Sequence, residues 1–366
     1  MKAAAVWIMT IMLVAISPHI AAGNVLSPGD FFPDYRFQTG LSTADAAYLG
    51  VSEDVNQKGF FIAEDVWGDV LVLELFNRFC FGCQQGAPVI NRAYEIVASD
   101  LGLSRKVRFV GVGVGNNQKT VEEFRREFDV QFPLLSDTGF SILDAIGNPG
   151  GTPYTMIFRR TPGGFVLVRT HFGVVESADS LVDEIREVST GDVQQLTAGS
   201  EPGELAPWIA KKQIPPLNEK EVEDLILKSM ERAGYGSVGL YSVALPGGEK
   251  VFIGESGRGK VFARIISRLP VCDVCHPVHF ILTVNTSGKV VDFDAISVTK
   301  YWNKPWTAQE VQQMRRKLLG LSVFGERVFN PSVDAVSTAT ISSSLIFDSL
   351  RRVAPVMELL KKAGHL

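Results

Sequence analysis

Four cysteines, grouped as Cys80-Phe-Gly-Cys83 and Cys272-Asp-Val-Cys275, are the residues of this chain best suited to chemistry. The first pair follows the apolar run Val70-Leu-Val-Leu-Glu-Leu-Phe76 and opens a stretch with helical patterning. A thiol at a helix N-terminus faces unpaired backbone N–H groups and partial positive charge, so it ionises readily, and the thiolate is the attacking species. Cys80 is therefore the expected nucleophile. Cys83, one turn further in, is placed to attack a mixed disulfide formed at Cys80 and release the reduced partner. Glu74, in an otherwise apolar strand, is the candidate base, because burial would raise its pKa and let it take the proton of Cys83. A Cys-x-x-Cys by itself also suits half of a metal site or two structural cysteines.

The second pair continues into His276, and Cys-x-x-Cys-His is the attachment signature of c-type haem, with two thioether sites and His276 as axial ligand. Such motifs usually run on into a helix, whereas Pro277 and Val278-His-Phe-Ile-Leu-Thr-Val284 read as a strand. Adding His279 gives two Cys and two His, a zinc set that would be crowded at this spacing. A second redox dithiol or a local disulfide needs no cofactor.

Positioning these residues requires two folded units, which 366 residues can supply. Buried strands are expected at Val70–Phe76, Val107–Val114, Phe132–Leu135, Thr155–Phe158 and Phe165–His171. Helices are expected from the dithiol to about Asp100, kinked at Pro88, and then over Lys119–Asp129, Ile142–Ile146 and Ser177–Val188. The irregular stretch Gly40–Glu64 reads as a hairpin over the sheet. His171 shows no partner in the sequence and reads as a strand residue. Residues 191–217, with four prolines, form a linker. Asn218 with Glu221 is a capping box that opens a second, α+β domain. Five strands between Ser237 and Ala295 form its antiparallel sheet, followed by helices through Met314, over Ile341–Val353 and over Pro355–Ala363.

The strand, the dithiol and the later Gly151-Thr152-Pro153-Tyr154 together resemble the periplasmic thioredoxin-like redoxins, of the alkyl hydroperoxide reductase and thiol-specific antioxidant superfamily. The resemblance covers about Asn24 to Val188. It implies an α/β thioredoxin fold in which Thr152 and a cis Pro153 face the dithiol and receive an extended substrate, with Glu74 at the place of a buried acidic residue. Gly86 stands where those redoxins carry a Glu, and Leu73 and Asn77 stand where peroxiredoxins carry Pro and Thr, so peroxidase activity is not expected. Asp334-Ala-Val-Ser337-Thr338-Ala-Thr340 is similar to the motif of FMN-binding domains, although Thr338 occupies a Gly position. That resemblance implies an FMN-binding-like α+β fold with Ser337 and Thr340 as flavin contacts, Thr340 carrying the flavin phosphate.

Composition frames these readings. A net charge of −4 without a basic block or interleaved aromatic and basic residues leaves no basis for nucleic-acid binding. Residues 1–23 have a short positive start, an apolar run over Ala3–Ile16 and small residues at Ala21-Ala22-Gly23, which reads as a signal peptide, with an uncleaved N-terminal anchor as the alternative. The expected domains are 24–190 and 218–366. The sequence thus points to a periplasmic or secreted thiol–disulfide oxidoreductase acting on disulfides or dithiols of partner proteins. No cofactor is required for the dithiol, while FMN and haem c are the cofactors its second domain suggests. In a sharper form, Cys272/Cys275 or a flavin exchanges electrons with Cys80/Cys83. The alternatives are a haem- or flavin-linked electron carrier and a non-catalytic interaction or assembly protein.

Overall fold

The structure, a computed structural model, describes residues 25–38, 40–200, 217–235, 239–246, 249–325 and 327–366. The signal-peptide reading and most of the linker lie outside the described residues. Among the described residues no helix is long and apolar enough to cross a membrane.

Two short strands, β1 (Phe37–Gln38) and β2 (Phe60–Phe61), pair antiparallel, and the stretch between them forms helices at Thr43–Leu49 and Glu53–Gln57 where a plain hairpin was expected. Ser42 and Ser52 each cap the following helix with a side-chain oxygen, which stabilises two turns that carry little apolar periodicity. The main sheet of this half is built from β3 (Val70–Phe76), β4 (Val107–Val114), β5 (Leu134–Asp137), β6 (Tyr154–Thr161) and β7 (Gly164–Phe172). Its order is β5-β4-β3-β6-β7, with β3, β4 and β5 parallel and β6 and β7 antiparallel.

All seven residues of β3 are buried, so alternation along it separates two apolar faces instead of core from solvent. Val70, Val72 and Phe76 join a cluster with Cys80, Cys83, Ile90 and Ile185. Leu71, Leu73 and Leu75 belong to another cluster that continues without a break into the second half of the chain, through Phe140 and Leu143 to Phe262 and Leu345. Glu74 shares its face with Val72 and Phe76, on the side of the cysteines. The arrangement agrees with the expected thioredoxin-like order of elements.

The second half is a five-stranded antiparallel meander of β8 (Gly239–Ala244), β9 (Lys250–Ser256), β10 (Gly259–Arg268), β11 (Val278–Asn285) and β12 (Val290–Ser297), in the order β12-β11-β10-β9-β8. The helix Glu219–Arg232, started by the Asn218/Glu221 capping box, packs Ile226 and Met230 against Phe252, Val261, Ala263 and Ile281. The opposite face, with Phe262, Phe280 and Phe293, is covered by Met314 and Leu318 of the helix Ala308–Leu318 and by the C-terminal helix. This C-terminal helix is one element, Thr340–Lys362, where two were expected. Pro355 removes one backbone donor, but Val353, Val356, Met357 and Leu360 are buried on both sides of it, and that packing outweighs the local break.

The halves are also joined by charge. Arg352 pairs with Asp144 of the first half (2.7 Å) and with Asp348 (2.8 Å), while Arg268 meets Asp348 at 2.6 Å. Burial alone would raise the Asp348 carboxyl, but Arg268, Arg352 and Arg351 outweigh it and hold the group below its usual range. The Arg268 guanidinium also lies over the Phe140 ring of the first half.

Candidate active site

Cys80 is the N-cap of the helix Phe81–Ser99, and its sulfur accepts a hydrogen bond from the Cys83 N–H at 3.3 Å. The turn before it is fixed by two asparagines. Asn77 donates its side-chain amide to the Val114 carbonyl and accepts from Phe79 N–H, and the Asn116 side-chain oxygen accepts from Arg78 N–H. The Asn77 N–H also donates to Cys83 Sγ at 3.4 Å. Asn77 was noted in the sequence as a departure from a peroxidase pattern, and its structural duty follows from its position at the end of β3.

The peptide Thr152–Pro153 is cis, and Thr152 faces the dithiol. Both thiols, free and buried, converge on Thr152. Cys80 donates to its carbonyl oxygen at 3.4 Å and Cys83 to its Oγ1 at 3.2 Å. Burial pushes the Cys83 thiol well up, reinforced by the neighbouring Cys80 and only partly offset by the Thr152 hydroxyl and the Asn77 N–H. A buried thiol of this kind needs a base before it can attack.

Glu74 is the group placed to serve. Burial pushes its carboxyl up to about 7, against a smaller opposing effect of the hydrogen bond that Thr155 Oγ1 donates at 2.5 Å. Glu74 and Cys83 line the same small pocket, together with Phe76, Ile90 and Phe132, with about 10 Å³ of room for the centre of a water molecule. That is on the order of the space one water requires. Thr155 escaped the sequence reading; it sits directly across from Glu74 in the β3/β6 register, a signal that strand pairing alone could have supplied.

The second pair forms a disulfide, Cys272–Cys275. In this state neither sulfur is available for a thioether or a metal bond. His276 follows it, and His279 shares a hydrogen bond with Ser267 at 2.8 Å. The chain then enters β11, as the strand pattern indicated. The structure brings this disulfide to the first pair: Cys80 Sγ, Cys272 Sγ and an Asp273 carboxylate oxygen lie within 4.8 Å of one another. Asp273 was not singled out in the sequence. His171, read as a strand residue, lies in β7 and meets Glu184 at 2.8 Å.

Comparison with known proteins gives one curated match and a set of similar folds. The chain is 30% identical over 95 residues to the thiol-disulfide oxidoreductase ResA of Bacillus subtilis, a match that covers 26% of this chain and 50% of that protein. The chain thus spans about half the length of this relative. No family model matches. Among solved structures, StoA from Bacillus subtilis is similar at 21% identity, covering 34% of this chain and 89% of that one, with a TM-score of 0.28. A secreted disulfide oxidoreductase of Mycobacterium tuberculosis is similar at 20% identity, covering 35% and 88%, also with a TM-score of 0.28.

The residues of the flavin resemblance stand at the start of the C-terminal helix. Thr338 has a φ of 60°, the left-handed region that glycine enters freely, and its carbonyl accepts from Tyr301 N–H at 3.0 Å. Ser337 is exposed and Thr340 half-buried, at the first helical position. Tyr301 and Trp302 meet edge to face, and Trp302 leans on Phe81 of the dithiol helix with ring centroids 6.4 Å apart. Both rings stay largely exposed, Tyr301 at 54% and Trp302 at 70%.

Proposed function

We propose that the chain is a thiol–disulfide oxidoreductase that works outside the cytoplasm, exchanging two electrons with cysteine pairs of proteins through Cys80 and Cys83. The observation that carries the reading is the convergence of both free thiols on Thr152 of the cis-proline turn, with Cys80 capping its helix. The Cys80 thiolate opens a disulfide and forms a mixed disulfide; Cys83, its proton taken by Glu74, attacks Cys80 Sγ and releases the partner as a dithiol. Thr152 positions both sulfurs. The ResA match supports the reaction class, and the apolar run at residues 3–16 supports the compartment. A flavin ester at Thr340 is a separate proposal, checked by whether flavin absorption survives denaturation.

The test is exchange with oxidised glutathione, read by mass. Cys83→Ser is expected to retain a mixed disulfide at Cys80, whereas Cys80→Ser leaves Cys83 unmodified. Modification of Cys83 in preference to Cys80, or of neither, would overturn the assignment.

A further inference from the structure

Val271–Asp273 of the second half lies along Thr152 of the first, after which the chain folds back in a tight turn closed by the Cys275 N–H donating to the Cys272 carbonyl at 3.0 Å. Thr152 N–H and Thr152 Oγ1 donate to the Val271 carbonyl at 2.9 and 2.8 Å, and Asp273 N–H donates to the Thr152 carbonyl at 2.9 Å. Thr152 and Cys272 thereby form a parallel β-bridge. Adding an extended segment to exposed backbone is a general mode of peptide recognition, in which main-chain bonds supply affinity and register.

Two glycines permit the approach. A Cβ on Gly151 would lie 2.4 Å from the Val271 carbonyl carbon and 2.5 Å from Cys272 N, both backbone atoms, and its φ of +116° already disfavours any side chain. A Cβ on Gly82, between the two thiols, would meet the Asp273 carboxylate at 3.0 and 3.2 Å. Two asparagines hold the loop near its two ends: Asn148 donates to the Pro270 carbonyl at 3.1 Å and Asn303 to the Val274 carbonyl at 2.6 Å. Cys80 is fully buried, Cys272 is 3% exposed, and both belong to one apolar cluster.

We infer that the Cys272–Cys275 disulfide is a built-in substrate of the Cys80–Cys83 dithiol, held on the Gly151–Pro153 turn where an external peptide would otherwise sit. The inference rests on the oxidoreductase reading and names its first substrate. Cys80 thiolate attacks Cys272 Sγ; the Cys80–Cys272 bond forms, the Cys272–Cys275 bond breaks, and the electron pair leaves on Cys275, which takes up the proton that Cys80 released. Cys83 then loses its proton and attacks Cys80 Sγ; the Cys80–Cys83 bond forms and the pair leaves on Cys272, which takes up that proton. Two electrons and two protons pass from the first pair to the second, and the reverse sequence returns them. Asp273, whose carboxyl burial pushes up, is positioned beside Cys80 to relay the first proton. An external disulfide or dithiol must therefore exchange with the second pair or wait until the loop leaves the turn.

The test uses the full chain. One sample is fully reduced and given one equivalent of diamide; another is fully oxidised and given one equivalent of dithiothreitol, each at two protein concentrations. After acid quench and alkylation, peptide masses report how the single remaining disulfide is shared between the pairs. The expected result is one common distribution, reached at a rate independent of concentration. Distributions that stay different, or merge at a rate proportional to concentration, would overturn the inference. Cys83→Ser/Cys275→Ser supplies a second reading: diamide is expected to join Cys80 to Cys272 within one chain, and links between chains would contradict this. Exchange of Cys80 with glutathione, measured separately, tells failure of the relay from failure of the oxidoreductase reading.

Discussion

The backbone of Thr152 brackets Cys272, donating to the residue before it and accepting from the residue after it, while the carbonyl and hydroxyl of the same threonine receive the thiols of Cys80 and Cys83. One residue thus positions the attacking thiol, the resolving thiol and the nearest disulfide. Holding reacting groups as near neighbours in one chain replaces a bimolecular encounter with a unimolecular step, and small displacements are correspondingly costly.

Gly151→Val should separate these groups. The new side chain must displace the Val271–Cys272 backbone, so exchange between the two pairs is expected to slow by about a hundredfold. Alkylation of Cys80 by iodoacetamide should quicken at the same time, since the loop that covers it has moved. Unchanged rates for both would show that the loop does not govern access.

Glu74→Gln should separate the two chemical steps. Formation of the mixed disulfide at Cys80 proceeds, but its resolution by Cys83 is expected to slow about a hundredfold, because the base near the buried thiol is lost. Rapid-quench alkylation would show the mixed disulfide accumulating.

The same substitution has a signature in stability. Burial raises the Glu74 carboxyl from 4.5 to about 7 in the folded chain, so between those values the folded state holds a proton that the unfolded state has released. Wild-type stability should therefore fall as pH rises through this window, by about 3 kcal/mol at most, and level off above it. Glu74→Gln removes this dependence. Denaturant unfolding of both proteins across that range measures the difference.

Asp348→Asn should loosen the joint between the halves. Arg268 would be left with an uncompensated buried charge, a loss of about 3 kcal/mol for buried pairs broken on one side. In the wild type, the depressed Asp348 carboxyl contributes stability that is present above its unfolded pKa and is lost as pH falls through the folded one. Unfolding of the variant should show less of this acid dependence.

The parts of this molecule that were legible in the sequence are those set by local pattern. Strand β3, the capping of the dithiol helix and the Asn218/Glu221 box follow from apolar runs and cap residues within a few positions of each other. Glu74 was visible because a carboxylate in an apolar strand is conspicuous. What escaped depends on contacts far apart in the chain. Thr155 matters through the register of β3 and β6, and Asp273 through a bridge between residues 152 and 272. Gly82 and Gly151 read as ordinary small residues until a backbone and a carboxylate from the other half are seen against them. Pro355 misled because its local cost is plain in sequence and the burial that overrides it is not.

The most direct test of the central claim is a glutathione redox titration of the full chain, with each cysteine counted by alkylation and peptide mass. Cys80 and Cys83 are expected to lose their free thiols together, in a two-electron transition, at a glutathione poise that also sets the state of Cys272 and Cys275. If Cys80 and Cys83 stay free thiols across the whole titration while the folded chain is intact, the first pair is structural and the oxidoreductase assignment fails.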